Sequence, residues 1–344
     1  RCAIVTGVQT CALPIYRTIY KIRDDGKKKK QLSNQKGFNY ASFSEGYQFF
    51  INYFSNATTP NYVTMHNEKG KVVRVLEDNG ELKEKLKAYA VQTKEFFTFT
   101  TSEGIELNGW IIKPANFEPG KTYPVVMTQY SGPNSQQVLD RWSVGWEQVL
   151  SGEGFVVACV DPRGTGGRGE EFRKMTYKEL GKYETIDQIE AAKYLGSLDF
   201  IDESRIGIYG WSYGGFMALN CMTQGADFFN TGIAVAPVTN WRYYDNIYTE
   251  RFMRKPQDNP SGYDDNSPIN HVEKLKGDVL IVHGLADDNV HPQNTFEMTE
   301  ALVQADKQFD MAIYTNRNHS IYGGNTRYHL FTKMVNYFVD HLKN

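Results

Sequence analysis

Two patterns of apolar spacing divide the chain. Over residues 17–76 apolar and polar positions alternate in short runs, most clearly in Thr18-Ile19-Tyr20-Lys21-Ile22, which an Asp25-Gly26 turn signal follows. Further short runs lie at 40–43, 47–53 and 62–66. Their regular spacing predicts a blade or two of a β-propeller. Lysines 27–30 fit the solvated flank of a hairpin rather than a binding patch. A helix predicted over 81–89 marks a boundary. From Phe96 onward the pattern changes. An antiparallel entry at 97–100 and 107–112 precedes strand candidates at 124–130, 155–161, 206–209, 232–236, 279–283 and 310–314. Helical periodicity falls between them, notably at 186–195 and 327–342. This alternation predicts a doubly wound, mostly parallel α/β sheet that gathers ligands at the carboxyl ends of its strands. The expected organisation is a propeller remnant over 17–77 and one α/β domain over 78–344.

Residues 1–16 stand apart. They lack an initiator Met and the basic, apolar and small-residue order of a signal peptide. The stretch 6–15 resembles a translated sequencing adapter. We therefore expect 1–16 to be non-native, and the chain to begin inside a longer protein.

Composition narrows the function. With 344 residues, 40% of them hydrophobic, the chain can bury one large core and a smaller one. A net charge of −2 argues against a nucleic-acid partner, which demands an excess of basic residues. No run approaches the roughly 18 apolar residues of a membrane span. The four cysteines form no framework. Cys159 and Cys221 read as small buried hydrophobes, while Cys2 and Cys11 fall in the distrusted segment. Aromatic residues, at 14%, suit a pocket that grips apolar or ring-shaped groups.

The most informative run is Gly210-Trp211-Ser212-Tyr213-Gly214, a G-x-S-x-G nucleophile elbow. A short apolar strand precedes it and an apolar helical run from Gly215 follows. A serine hydroxyl is a weak nucleophile that needs a base and a group to orient that base. In this fold the acid and the histidine follow the serine in that order. The loop after strand 279–283 offers Asp287, with Asp288 as its local competitor, and position favours Asp287 without settling the choice. Among seven histidines, His319 alone lies between the last strand and the last helix. His283, at a strand end, is expected to bond loop backbone. The backbone N–H of Tyr213 is one oxyanion donor by elbow geometry, and Tyr130 at the end of strand 124–130 is a candidate for the other.

Three runs carry a resemblance beyond the generic elbow: Gly210 to Gly215, Asp161-Pro162-Arg163-Gly164-Thr165-Gly166, and His283 to His291 with Ala286-Asp287-Asp288-Asn289-Val290 at its centre. With the block from Ala234 to Arg251, they resemble the prolyl oligopeptidase family, and within it the dipeptidyl branch, across residues 17–344. The resemblance implies an α/β-hydrolase fold preceded by the last strands of a propeller. It implies Ser212, Asp287 and His319 as the triad, and Tyr130 as the side-chain oxyanion donor. It further implies a proline pocket of Tyr213, Val238, Trp241, Tyr244, Tyr248 and Val290, with Asn289 on a substrate carbonyl. The expected activity is release of Xaa-Pro, less well Xaa-Ala, dipeptides from peptides with a penultimate proline. The family's propeller also supplies a glutamate pair that holds the free amine, and a chain with only the last blade strands is expected to lack it. Rival readings are a prolyl tripeptidyl peptidase or broader esterase of the same fold, and a non-catalytic binding protein. No metal or organic cofactor is implied. Bacterial relatives are usually periplasmic or secreted, and commonly homodimers.

Overall fold

The structure is a computed structural model that describes residues 14–343 and the backbone of residues 2–6. Cys11, with the rest of residues 7–13 of the segment expected to be non-native, lies outside the described residues. The chain forms two compact units, one of residues 1–95 with 138–148, the other of 96–137 with 149–344.

In the first unit β1 (Cys2–Thr6) pairs antiparallel with β2 (Ile19–Arg23), which pairs with β3 (Lys30–Gln31) across the Asp25-Gly26 turn. Gly26 takes a φ of 75° there, as a turn glycine can at little cost. Next come β4 (Phe38–Phe43), β5 (Phe49–Asn56), β6 (Thr59–Asn67) and β7 (Val72–Glu77), a four-stranded antiparallel meander with the form of a propeller blade. Tyr47, expected in a strand, instead turns at φ 58°, so β5 starts two residues later. The structure adds β7, whose exposed Val-Val-Arg-Val-Leu-Glu shows no alternation of burial. Then follows α1 (Gly80–Ala88).

The division between the units falls after Glu95, not at 77/78 as expected, and the first unit also takes in 138–148. Hydrogen bonds hold that segment. The Ala57 amide donates to the Asp140 carboxylate (2.7 Å), and the Asp140 amide donates to the Ile15 carbonyl (2.9 Å). Such long-range pairing leaves no local trace in the sequence.

The second unit runs β8 (Glu95–Thr100), β9 (Glu106–Ile112), β10 (Tyr123–Thr128), α2 (Trp146–Gly152), β11 (Val156–Asp161), α3 (Glu170–Lys174) and α4 (Lys182–Gly196). It continues with β12 (Ile201–Trp211), α5 (Tyr213–Gln224), β13 (Thr231–Val235), α6 (Asn246–Met253) and α7 (Pro260–Asp264). The last elements are β14 (Asp278–Gly284), α8 (Gln293–Gln304), β15 (Asp310–Tyr314) and α9 (Thr326–Phe338). The sheet order is β15-β14-β13-β12-β10-β11-β9-β8. Strands β10 to β15 are mutually parallel, and β9 runs antiparallel to β11. Every residue of β10, β11 and β13 is buried. That is why these strands read as continuous apolar runs: helices cover both faces of the sheet.

Strand β10 has β11 on one side and β12 on the other, so the chain reverses its winding direction there. Such a switch point opens a crevice at the carboxyl ends. The segments that follow β10, β12, β13, β14 and β15 carry all the predicted site residues, Tyr213 in the first turn of α5 and Tyr248 in α6. Among the described residues, no helix is long and apolar enough to cross a membrane.

Candidate active site

A single residue makes the elbow. Trp211 ends β12 and Tyr213 opens α5, leaving Ser212 at φ 62°, ψ −116°. A side chain at positive φ is strained by about 1–3 kcal/mol and persists only where its surroundings hold it. Here the Ser212 amide donates to the Val235 carbonyl at 2.8 Å. The glycines are required by contact. A Cβ on Gly210 would lie 2.0 Å from the Gly214 carbonyl oxygen, and one on Gly214 would lie 2.5 Å from that of Gln129.

The loop after β10 is braced against this turn. Gln129 Nε2 donates to the Gly214 carbonyl (2.8 Å), the Ser131 hydroxyl donates to Gln129 Oε1 (2.9 Å), and Gln188 Nε2 on α4 donates to Ser131 Oγ (3.1 Å). Tyr130 sits between two links of this chain, its ring 5.9 Å from that of Tyr213. Burial raises the Tyr130 phenol above its ordinary pKa, so it stays a proton donor. The run after Asp161 backs the same loop. The Asn134 amide donates to the Gly164 carbonyl (2.9 Å), and the Gly166 amide to that of Ser135 (2.8 Å). Arg163 is engaged by Asp187 (2.7 Å) and Glu103 (2.7 Å).

Asp287, not Asp288, meets His319. Asp287 is buried, and its Oδ2 accepts from His319 Nδ1 at 2.7 Å. Its Oδ1 accepts from the amides of Asn289 and Val290, both at 3.0 Å. Asp288 is exposed. Burial alone would raise the Asp287 carboxyl, but hydrogen bonds from His283, His319 and the backbone outweigh it and hold it well below the usual carboxylate range. An ionised Asp287 keeps the His319 proton on Nδ1 and leaves Nε2 with a free lone pair. The Trp211 indole N–H donates to the His319 carbonyl (2.9 Å), tying this loop to the residue before the serine.

His283 bonds loop backbone as expected, with Nε2 2.9 Å from the Val290 carbonyl. It also stands 3.3 Å from Asp287 Oδ2. Two acceptors face Nε2, and the Thr295 hydroxyl meets Nδ1 at 2.7 Å, so the proton belongs on Nε2. Nothing in the local residue pattern marks this second contact.

The six residues expected to form a ring pocket gather in one apolar cluster. Tyr213, Val238, Trp241 and Val290 are buried in it, and Tyr130, Tyr244 and Tyr248 pack against it half-buried. Trp241 stacks on Tyr248 (5.9 Å, 24°), meets Tyr244 edge-on (5.7 Å, 86°) and tilts against Tyr213 (5.2 Å). Asp245 caps α6 by accepting from the Tyr248 amide at 2.8 Å, which fixes where that ring starts. Tyr244 donates its hydroxyl to Asn289 Oδ1 (2.8 Å), so the side-chain NH₂ of the exposed Asn289 faces away from Tyr244. Glu184 was not foreseen. It is fully buried beside this cluster, with the Tyr213 hydroxyl donating to it at 2.6 Å. The available signal was the phenol itself: a tyrosine in an apolar run needs an acceptor.

A serine on an elbow at the sheet's carboxyl ends, with an acid and a histidine on the loops after β14 and β15, defines an α/β-hydrolase. Comparison with known proteins narrows the class. Residues 142–344, more than half of the chain, match the prolyl oligopeptidase family, and the chain belongs to it. The chain is 39% identical to "Probable dipeptidyl-aminopeptidase B" of Aspergillus terreus, over 99% of its own length and 38% of that protein's. Its counterpart in Emericella nidulans is 37% identical over 98% of this chain and 38% of its own length. The crystal structure of Porphyromonas gingivalis dipeptidyl peptidase 4 superposes with a TM-score of 0.95 at 53% identity, covering 99% of this chain and 48% of that one. The chain thus spans less than half the length of these relatives. The expected fold, an α/β-hydrolase preceded by the last strands of a propeller, is met.

Proposed function

We propose that this chain carries the catalytic apparatus of a serine exopeptidase that releases Xaa-Pro, less well Xaa-Ala, dipeptides from a peptide N-terminus. The observation that carries the proposal is the hydrogen bond of 2.7 Å from His319 to the buried Asp287, held to the elbow through the Trp211 indole. His319 Nε2 takes the Ser212 proton as Oγ attacks the carbonyl after the second residue. The negative charge that forms on oxygen is met by the Tyr213 amide, in the first turn of α5 where no intrahelical acceptor exists, and by the Tyr130 hydroxyl. His319 then protonates the leaving amine, and water, deprotonated by the same imidazole, frees the dipeptide from the acyl-enzyme.

The cluster around Trp241 supports the proline preference. A pyrrolidine ring has no N–H to satisfy and is bound by apolar walls. Asn289 turns its NH₂ toward a substrate carbonyl while Tyr244 holds its oxygen. The likeness to dipeptidyl peptidases extends the proposal to an exported parent protein acting as a homodimer.

The test is hydrolysis of Gly-Pro-p-nitroanilide against Gly-Gly-p-nitroanilide. We expect kcat/KM to favour proline by about 10–100-fold, the worth of one well-filled apolar pocket. Ser212→Ala should abolish cleavage. Asp287→Asn should lower kcat by about 10³–10⁴-fold through the wrong imidazole tautomer, while Asp288→Asn changes it less than about twofold. Labelling of Ser212 by a fluorophosphonate without cleavage of either amide would refute the peptidase reading, and absence of labelling would refute acyl transfer altogether.

A further inference from the structure

Glu184 lies in the first turn of α4 and is wholly removed from solvent. Its two oxygens face two different elements. The Tyr213 hydroxyl donates to Oε1 at 2.6 Å, and the Gly181 amide, at the start of α4, donates to Oε2 at 3.0 Å. The seam between α4 and α5 is tight. A Cβ on Gly181 would lie 2.5 Å from the Phe216 ring, and that ring stands edge-on to Tyr213 at 5.6 Å and 77°. Asp187, one turn further along α4, is paired with Arg163, and among the described residues no cation pairs with Glu184.

A buried carboxyl without a cationic partner is costly and must be held by hydrogen bonds or keep its proton. A leucine there would close the seam more cheaply. The geometry instead gives Glu184 one service that an apolar residue lacks: it fixes the far end of the Tyr213 ring. That ring is also held by Trp241 at 5.2 Å and Tyr130 at 5.9 Å, so its angle sets one wall of the apolar cluster.

We propose that Glu184 is a positioning residue for substrate specificity, fixing the Tyr213 ring as the wall against which the residue N-terminal to the cleaved bond packs. It touches no substrate and acts only through Tyr213. The inference rests on the peptidase reading above.

The test compares Glu184→Leu with Glu184→Gln on two substrates: Gly-Pro-p-nitroanilide, which fills the pocket, and p-nitrophenyl acetate, which uses the serine but leaves the pocket empty. In Glu184→Leu the ratio of their kcat/KM values should fall by about 10–100-fold, chiefly through KM for the proline substrate. Glu184→Gln should restore the ratio to within about threefold, its oxygen accepting from Gly181 and its NH₂ donating to the Tyr213 oxygen. General loosening of the fold would slow both substrates together and leave the ratio unmoved. Should Glu184→Leu fail to fold, Tyr213→Phe removes the same hydrogen bond from the other side and should lower the ratio alike. An unchanged ratio in whichever of these two variants folds, or a Gln variant as poor as Leu, would overturn the inference alone. An unmodified chain that leaves Gly-Pro-p-nitroanilide uncleaved would sink the peptidase reading and this inference with it.

Discussion

At the scale of single residues, the site is a set of hydrogen bonds whose protonation states can be argued one by one. Glu184 is the sharpest case. Burial, aided by nearby Asp187 and opposed by the bonds from Tyr213 and the Gly181 amide, raises its carboxyl from the ordinary 4.5 to about 8. A raised carboxyl pKa makes the folded state hold a proton that the unfolded chain has lost. Stability from this group is therefore highest below pH 4.5 and declines until about pH 8, by at most about 1.4 kcal/mol per pH unit. Glu184→Gln should flatten that decline, read from urea midpoints across the same range. Parallel curves for the two proteins would show that the carboxyl is already ionised when folded. Of the site's residues, Ser212, Tyr213 and His319 were legible because the elbow and the chain order mark them. Position favoured Asp287 over Asp288 without settling the choice, since the difference lies in which one the backbone turns inward to meet the amides of Asn289 and Val290. Glu184 was illegible because its partner is 29 residues away on another helix.

At the scale of elements, sequence and structure agree where burial is simple. Strands covered on both faces announce themselves as unbroken apolar runs, and the elbow announces itself through glycines. Those glycines mark close approaches of backbone to backbone, which cannot relax as a side chain can. Gly214→Ala would press a methyl group to 2.5 Å from the Gln129 carbonyl and force apart the loop that carries Tyr130. We expect a loss of about 2–4 kcal/mol in urea unfolding together with a fall in kcat. Full stability in that variant would mean that the loop after β10 yields freely. The return of a later segment to the first unit was illegible for the opposite reason. Residues 138–148 return to the first unit through bonds such as Asp140 to Ala57, and no periodicity records a contact 83 positions apart.

At the scale of the whole molecule, the two units differ in what holds them. The α/β unit has an extensive core running through all its central strands, whereas the described core of the first unit gathers around Ile19, Leu32, Ala41 and Phe50. Strand β7 forms one edge of the blade-like sheet, and among the described residues it pairs with β6 alone. Its Val72, Val73, Val75 and Leu76 are 44–55% exposed. Natural edge strands are usually blunted by charge, proline or a bulge, and an open apolar edge is a template for another strand. β7 carries Arg74 and Glu77 and pairs irregularly with β6 at two points, yet its four exposed apolar side chains leave an edge along which we expect copies of this chain to associate. Light scattering should rise with protein concentration and fall several-fold in Val73→Lys/Val75→Lys, with turnover of Gly-Pro-p-nitroanilide unaffected. Scattering that ignores the two lysines would place the seam elsewhere. Storage life and usable concentration would then be set by six residues of the small unit, remote in sequence from the chemistry they limit.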